Sequence, residues 1–186
     1  MRKNDIFDNA LIAAVKNGDT RAFKGLVEKY ESQVTATVVG ILGICPEAEE
    51  TGQDTFVRFY NSLAAFRGDA SVGTFLTRIA INLSLNEIKR RKKKKGIYNE
   101  GIDLEQIPDT NPDPERDMNA ERIRDAVLLL EPKMRGVVVL RLVQGYTMKE
   151  TSEILKLPLG TVLSRLFRAQ KLLRIMLDKK RGGQYG

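Results

Sequence analysis

The chain has 186 residues, 42% hydrophobic and 30% charged, which allows one or two small domains with real cores. Its formal charge of +7 favours a polyanionic partner, and nucleic acid is expected before a membrane because no long apolar run is present. There is no histidine and one cysteine, Cys45, which excludes a histidine-based catalytic triad, an internal disulfide and zinc sites of the usual Cys/His kinds. A glycine-rich phosphate loop and an acidic set with metal-like spacing are also missing, so neither a cofactor nor an enzymatic activity is expected. The N-terminal residues run straight into an amphipathic pattern without signal-peptide features, which predicts a cytoplasmic protein with no membrane insertion.

The pattern is helical almost throughout, an all-α chain. Asp5 to Lys16 forms a first helix with Ile6, Phe7, Leu11, Ala14 and Val15 apolar, ended by Asn17-Gly18. Asp19 or Thr20 then caps a long second helix whose stripe is Phe23, Leu26, Val27, Tyr30, Val34, Val38 and Ile41. Gly43 to Pro46 breaks it, and Cys45 serves there as a small apolar residue near a helix end. Pro46 opens a third helix with Glu47, Glu49 and Glu50 in its first turn, where acids suit the helix dipole. That helix is expected to continue to Phe66.

A turn-rich loop, Arg67 to Gly73, precedes a fourth helix predicted from about Thr74 into a run of lysines. Phe75, Arg78, Asn82, Asn86 and Lys89 share one sector of its wheel, beside the apolar Leu76, Ile79 and Leu83. Two asparagines in mid-helix have poor helix propensity. Amides, a guanidinium and an aromatic ring are what unstacked bases require, and the run Lys89 to Lys95 suits phosphates without sequence preference. A solvated face with a basic tail is the alternative reading. Residues 96–117 carry seven acids, one base (Arg116) and Pro108, Pro112 and Pro114. No helical period survives there, so it is predicted to be an extended acidic linker, in the simplest case a tether.

Helices resume from Arg116 through Ile123, Val127 and Leu130, and from Pro132 through Met134 to Val143. Thr147 and Glu150 form a capping box for a short helix to Leu155. Lys156-Leu157-Pro158 then joins it to a longer helix, with Pro158 suited to the first turn. In that helix Val162, Leu166, Ala169 and Leu173 form the packed side, while Leu163, Ser164, Phe167, Arg168 and Lys171 face the other way. From Lys156 to Arg181 Asp178 is the sole acid among eight Lys and Arg. This is a helix-turn-helix whose second helix is suited to a DNA major groove.

Several motifs in order and spacing are now recognisable. Glu47 to Arg58 resembles the start of the second domain of bacterial sigma factors, and Phe66-Arg-Gly-Asp-Ala70 with Thr74 to Asn82 resembles its promoter-melting segment. Leu130-Glu-Pro-Lys-Met-Arg135, Gly145 to Glu150 and Gly160 to Arg165 are similar to the fourth domain. The compact form is that of the extracytoplasmic-function (ECF) group of the sigma-70 family. The resemblance implies domain 2 over 1–95, a linker over 96–117 and domain 4 over 118–186.

It further implies a transcription initiation factor that binds core RNA polymerase and directs it to promoter DNA. Gln53, Asp54, Phe56, Val57 and Arg58 would meet the clamp helices of the β′ subunit, and the β flap would be a second contact. The loop with Arg67, Asp69 and Ser71 would hold a flipped base of the minus-ten element, and Phe75, Arg78, Asn82, Asn86 and Lys89 the melted strand. Leu163, Ser164, Phe167 and Arg168 would read the minus-thirty-five element, with Thr161, Arg165 and Lys171 nearer phosphates. The linker would run through the polymerase, and an anti-sigma factor would hold the protein inactive. Two positions depart from the family: Phe75 replaces a usual tryptophan, and Leu163 stands where many members carry a basic residue, which points to a shape or methyl contact. A stand-alone dimeric helix-turn-helix regulator is the alternative. An RNA-binding protein or nucleic-acid enzyme is a third, disfavoured by the missing catalytic set.

Overall fold

A computed structural model of the chain describes residues 3–94 and 118–182. The described residues form helices and the turns between them, with no strand: α1 (Lys3–Lys16), α2 (Thr20–Leu42), α3 (Pro46–Ser62), α4 (Val72–Lys94), α5 (Met118–Leu128), α6 (Pro132–Val138), α7 (Met148–Leu155) and α8 (Leu159–Gly182). The chain divides into two compact units, the boundary falling inside α4 between Glu87 and Ile88. The acidic stretch 96–117 lies outside the described residues.

In the first unit, Gly18 takes a left-handed φ of +93° to end α1. Asp19 then settles the choice of cap: its carboxylate accepts from the amides of Arg21 (2.9 Å) and Ala22 (3.4 Å). The buried stripe of α2, including Leu26, Val34, Val38 and Ile41, packs against α1 and α3. On α1 the carboxylate of Asp8 is buried and accepts from Lys29 Nζ and the Tyr30 hydroxyl, both at 2.5 Å. A buried carboxylate is stable only with such partners, so this cluster clips α1 to α2.

Pro46 starts α3 as expected, and Ala48, Thr51, Thr55 and Phe59 form its buried side. The hydroxyls of Thr51 and Thr55 donate to the carbonyls of Glu47 and Thr51, which lets two polar side chains sit in the core. The helix ends at Ser62, not at Phe66. A 3-10 turn, Leu63–Ala65, tightens the chain, and Phe66 becomes extended. Its ring swings in to pack edge-on against Phe59 (6.3 Å between centroids) and Phe75 (5.2 Å).

α4 begins at Val72, two residues before the expected start, because the Ser71 hydroxyl caps it by accepting from the Thr74 amide at 3.2 Å. Gln33 on α2 holds that first turn, donating to the Gly73 carbonyl (3.3 Å) and the Thr77 hydroxyl (3.0 Å). The two helices approach so closely that a Cβ on Gly73 would lie 3.0 Å from Gln33 Oε1 and 3.1 Å from Tyr30 Cε1.

The second unit is built on Val127, Leu130, Val138 and Ala169, with Leu166, Leu172 and Leu173 packed against them. Arg135 on α6 reaches back to the end of α5 and donates to the carbonyls of Leu128 and, at 3.0 Å, Leu130. The Leu128 carbonyl stands at the end of α5, where no later amide of the helix can reach it. Burial pulls the guanidinium down to about 10, so it stays charged at neutral pH. The helix expected from Met134 to Val143 changes pitch: α6 ends at Val138 and Val139–Val143 form a π turn. Arg141 donates to the Tyr146 carbonyl, closing the bend that Gly145 makes with φ +72°.

Candidate nucleic-acid and partner interfaces

The face of α3 opposite its buried threonines carries Gln53, Asp54, Val57 and Arg58, all exposed, with Phe56 half-buried at its margin. Val57 is 56% exposed at the centre of that face, where solvation gives no reason for a valine. Tyr60, also exposed and steadied by an edge-on contact with Phe23 (4.9 Å), extends the face by a turn. The residues expected from the sequence for this face do not include it, although its spacing from Phe56 and Val57 is an available signal. Gly52 lies one turn before Phe56. It takes no left-handed φ, and a Cβ built there meets nothing within 4 Å. Among the described residues no contact accounts for a glycine inside this helix.

The loop between α3 and α4 is tethered at its start, where Lys16 Nζ donates to the Phe66 carbonyl at 3.1 Å. Arg67, Asp69 and Ser71 are exposed along it, and Gly68 turns the chain with φ +79°. Asn82, Asn86 and Lys89 lie exposed in a row on α4, with Ile81, Leu83 and Ser84 buried behind them. Arg78 heads the row, half-buried. Phe75 does not stand with them. Its ring is half-buried against Phe59 (6.0 Å) and Phe66, and it supports the loop from beneath. The helix closes with Arg91, Lys92, Lys93 and Lys94 in its last turn, where cations suit the dipole.

The helix-turn-helix forms as the spacing predicts. Thr147 and Glu150 make both arms of the capping box, at 3.2 and 2.8 Å. The joint turns on Lys156, a non-glycine residue in the left-handed region (φ 52°, ψ 46°). Ser152 locks it, its carbonyl accepting from the Leu157 amide (3.0 Å) and its hydroxyl donating to the Leu157 carbonyl (2.6 Å). Pro158 acts as the cap, its carbonyl accepting from Thr161 and Val162, so α8 starts one residue later than expected. Val162 and Ala169 are fully buried, and the opposite face presents Leu163 (51% exposed), Ser164, Phe167 (70%), Arg168 and Lys171. Thr161 and Arg165 lie half-buried at the flanks. The Ser164 hydroxyl donates to the Thr161 carbonyl (3.0 Å), leaving its oxygen free to accept from outside. Leu159, 48% exposed, continues the outward row by one turn and is not among the residues expected there from the sequence.

Among the described residues no group of three or more acids and cysteines could hold a metal ion, and no helix is long and apolar enough to cross a membrane. A family model of Sigma-70 region 2 matches residues 26–94, and one of Sigma-70 region 4 matches residues 120–173. The chain is 33% identical over 178 residues to the ECF RNA polymerase sigma factor SigW of Bacillus subtilis, covering 89% of this chain and 94% of that protein. It is 31% identical over 176 residues to the RNA polymerase sigma-H factor of Pseudomonas aeruginosa, covering 89% and 91%. Among solved structures, the fold is similar to the sigma factor RpoE in complex with the anti-sigma factor NepR from Bartonella quintana (TM-score 0.69, 18% identity, 86% of this chain and 98% of that one). It is also similar to CnrH in complex with the cytosolic domain of CnrY (TM-score 0.67, 24% identity, 93% and 98%). Family models that match a segment of each unit, and relatives at 31% and 33% identity over most of the chain, show that the chain belongs to the ECF RNA polymerase sigma factors, a family of transcription initiation factors and not of enzymes.

Proposed function

We propose that the protein assembles with core RNA polymerase in the cytoplasm, places it on promoters through two DNA-binding surfaces, and helps to melt the minus-ten element. In this reading residues 1–95 act as domain 2, 96–117 as a linker threading the polymerase, and 118–186 as domain 4. The α3 face (Gln53, Asp54, Phe56, Val57, Arg58) docks on the β′ clamp helices, and domain 4 meets the β flap. Leu163, Ser164, Phe167 and Arg168 read the minus-thirty-five duplex, while Thr161, Arg165 and Lys171 hold phosphates. Arg67, Asp69 and Ser71 border the pocket for a flipped base. Arg78, Asn82, Asn86 and Lys89 track the parted strand, and Phe75 meets it with the part of its ring left uncovered by Phe59 and Phe66. An anti-sigma factor is the expected inhibitor, in keeping with the partner named for the Bartonella quintana neighbour.

The observation that carries the melting step is the row on α4. Asn82 and Asn86 are held outward in mid-helix, directly after a capped loop and before a cationic turn. Opening DNA costs roughly 1.4 kcal/mol per stacked step. Stacking a base on an aromatic ring, here the uncovered part of Phe75, returns about 1–3 kcal/mol, and the amides of Asn82 and Asn86 add hydrogen bonds to the edges of unpaired bases. A few captured bases therefore bias an opening that the polymerase completes. No covalent chemistry is involved. The double variant Asn82→Ala/Asn86→Ala tests this, since both side chains are exposed and their loss leaves the fold intact. Core binding is expected to stay unchanged while permanganate-reactive thymines at the promoter diminish. Normal melting by the variant would refute the assignment.

A further inference from the structure

We propose that the outward row of α8, centred on Leu163, reads thymine methyl groups, so that this protein selects duplex by an apolar contact about two base pairs from a second one. The inference rests on the duplex-reading role proposed for α8. Leu163 cannot donate or accept a hydrogen bond, yet half of it stands in the open on the face that would enter the groove. Its neighbours one turn away on either side, Leu159 and Phe167, are apolar and exposed as well. In the major groove each base edge offers hydrogen-bonding groups, and the thymine C5-methyl is the apolar feature. Set against a polar base edge, Leu163 would bury unpaired donors or acceptors, which costs free energy. Set against a methyl, it loses nothing and gains buried apolar area.

The surroundings favour DNA over a protein groove as the occupant. Ser164, Arg168, Lys171 and Arg174 flank the row, and no acid appears on α8 before Asp178. Gly160, beside Leu159, leaves open space where a Cβ would stand, so a backbone can come close. Four residues of helix rise by about 6 Å, nearly two base-pair steps of about 3.4 Å each. In this proposal α8 runs along the stack of base pairs, so the methyls facing Leu163 and Phe167 belong to base pairs about two steps apart.

The test uses the full chain bound to core RNA polymerase and a random duplex library, from which the preferred sequence is selected. That sequence is then resynthesised with deoxyuracil replacing one thymine at a time, removing a single methyl and no hydrogen-bonding group. Two positions about two base pairs apart should each lose binding by about fourfold, the worth of one buried methyl. At the same positions 5-methylcytosine should bind better than cytosine, because an apolar reader sees the same methyl. Leu163→Ala should abolish the thymine–uracil difference at one of the two and leave the other. Leu163→Arg should move the preference at that base pair toward guanine, which arginine contacts in bidentate fashion. A selected sequence that is bound and melted normally but indifferent to every uracil replacement would overturn the methyl readout alone. Failure of the holoenzyme to select any sequence would overturn both this inference and the promoter-recognition reading beneath it. A Leu163→Ala protein whose thymine–uracil differences are all unchanged, but whose association with polymerase falls, would show a protein-docking row instead.

Discussion

Gly52→Ala is the substitution whose outcome is least obvious from the sequence. Glycine in a helix interior costs about 1 kcal/mol relative to alanine. Where a Cβ meets a steric conflict the gain is absorbed, as at Gly73, where it would press on Gln33 and Tyr30. At Gly52 a Cβ meets nothing within 4 Å and φ is not left-handed, so the whole gain is available. An increase of about 1 kcal/mol raises the melting temperature of a unit this size by about 4–8 °C. Calorimetry or circular dichroism on the full chain reads it in the transition of the first unit. The same substitution is expected to weaken association with core polymerase, because overfilling a close-packed contact costs about 1–3 kcal/mol and Gly52 borders the face of Phe56 and Gln53. A melting temperature that falls or stays unchanged would sink the steric reasoning. A rise with unaltered polymerase affinity would remove Gly52 from the interface.

Other expectations follow from single contacts. Asp8→Asn removes the charge that neutralises Lys29 and should destabilise the first unit by about 3 kcal/mol, seen as a lower denaturant midpoint. Lys156→Gly relieves a left-handed residue at the turn and should stabilise the second unit by about 1 kcal/mol, while Lys156→Val should destabilise it; equal melting of the three proteins would contradict this. With no histidine in the chain, no side chain of ordinary pKa changes charge between pH 6 and 8. Thermal stability should be flat across that interval, and a sigmoidal dependence centred within it would show a perturbed side chain or a contribution from the terminal amine.

Local chemistry was legible in the sequence wherever one helix sufficed to express it. The Thr147–Glu150 box, Pro46 at a helix start and the two faces of α8 depend on neighbours within a turn, and each reads correctly; the cap of α2 was legible only as Asp19 or Thr20. Contacts between distant segments were not legible. A helical wheel places Phe75 with Arg78 and Asn82, but its ring is claimed by Phe59 on another helix and Phe66 on the loop. The same attraction ends α3 early, although Leu63, Ala64 and Ala65 have good intrinsic helix propensity. Asp8 reads as a surface acid until α2, twenty-one residues on, supplies its partners. The π turn at Val139–Val143 has no local signal at all. It sits just before the bend that Arg141 and Gly145 close ahead of α7.

Phe59, wholly enclosed, contributes one ring to the underside of both α3 and the loop that leads into α4. If the proposed function holds, two recognition surfaces with different clients would rest on a common keystone. Drift at this site is expected to be pleiotropic: a smaller residue would slacken enzyme recruitment and strand capture together, and repairing one alone would require changes outside the shared ring.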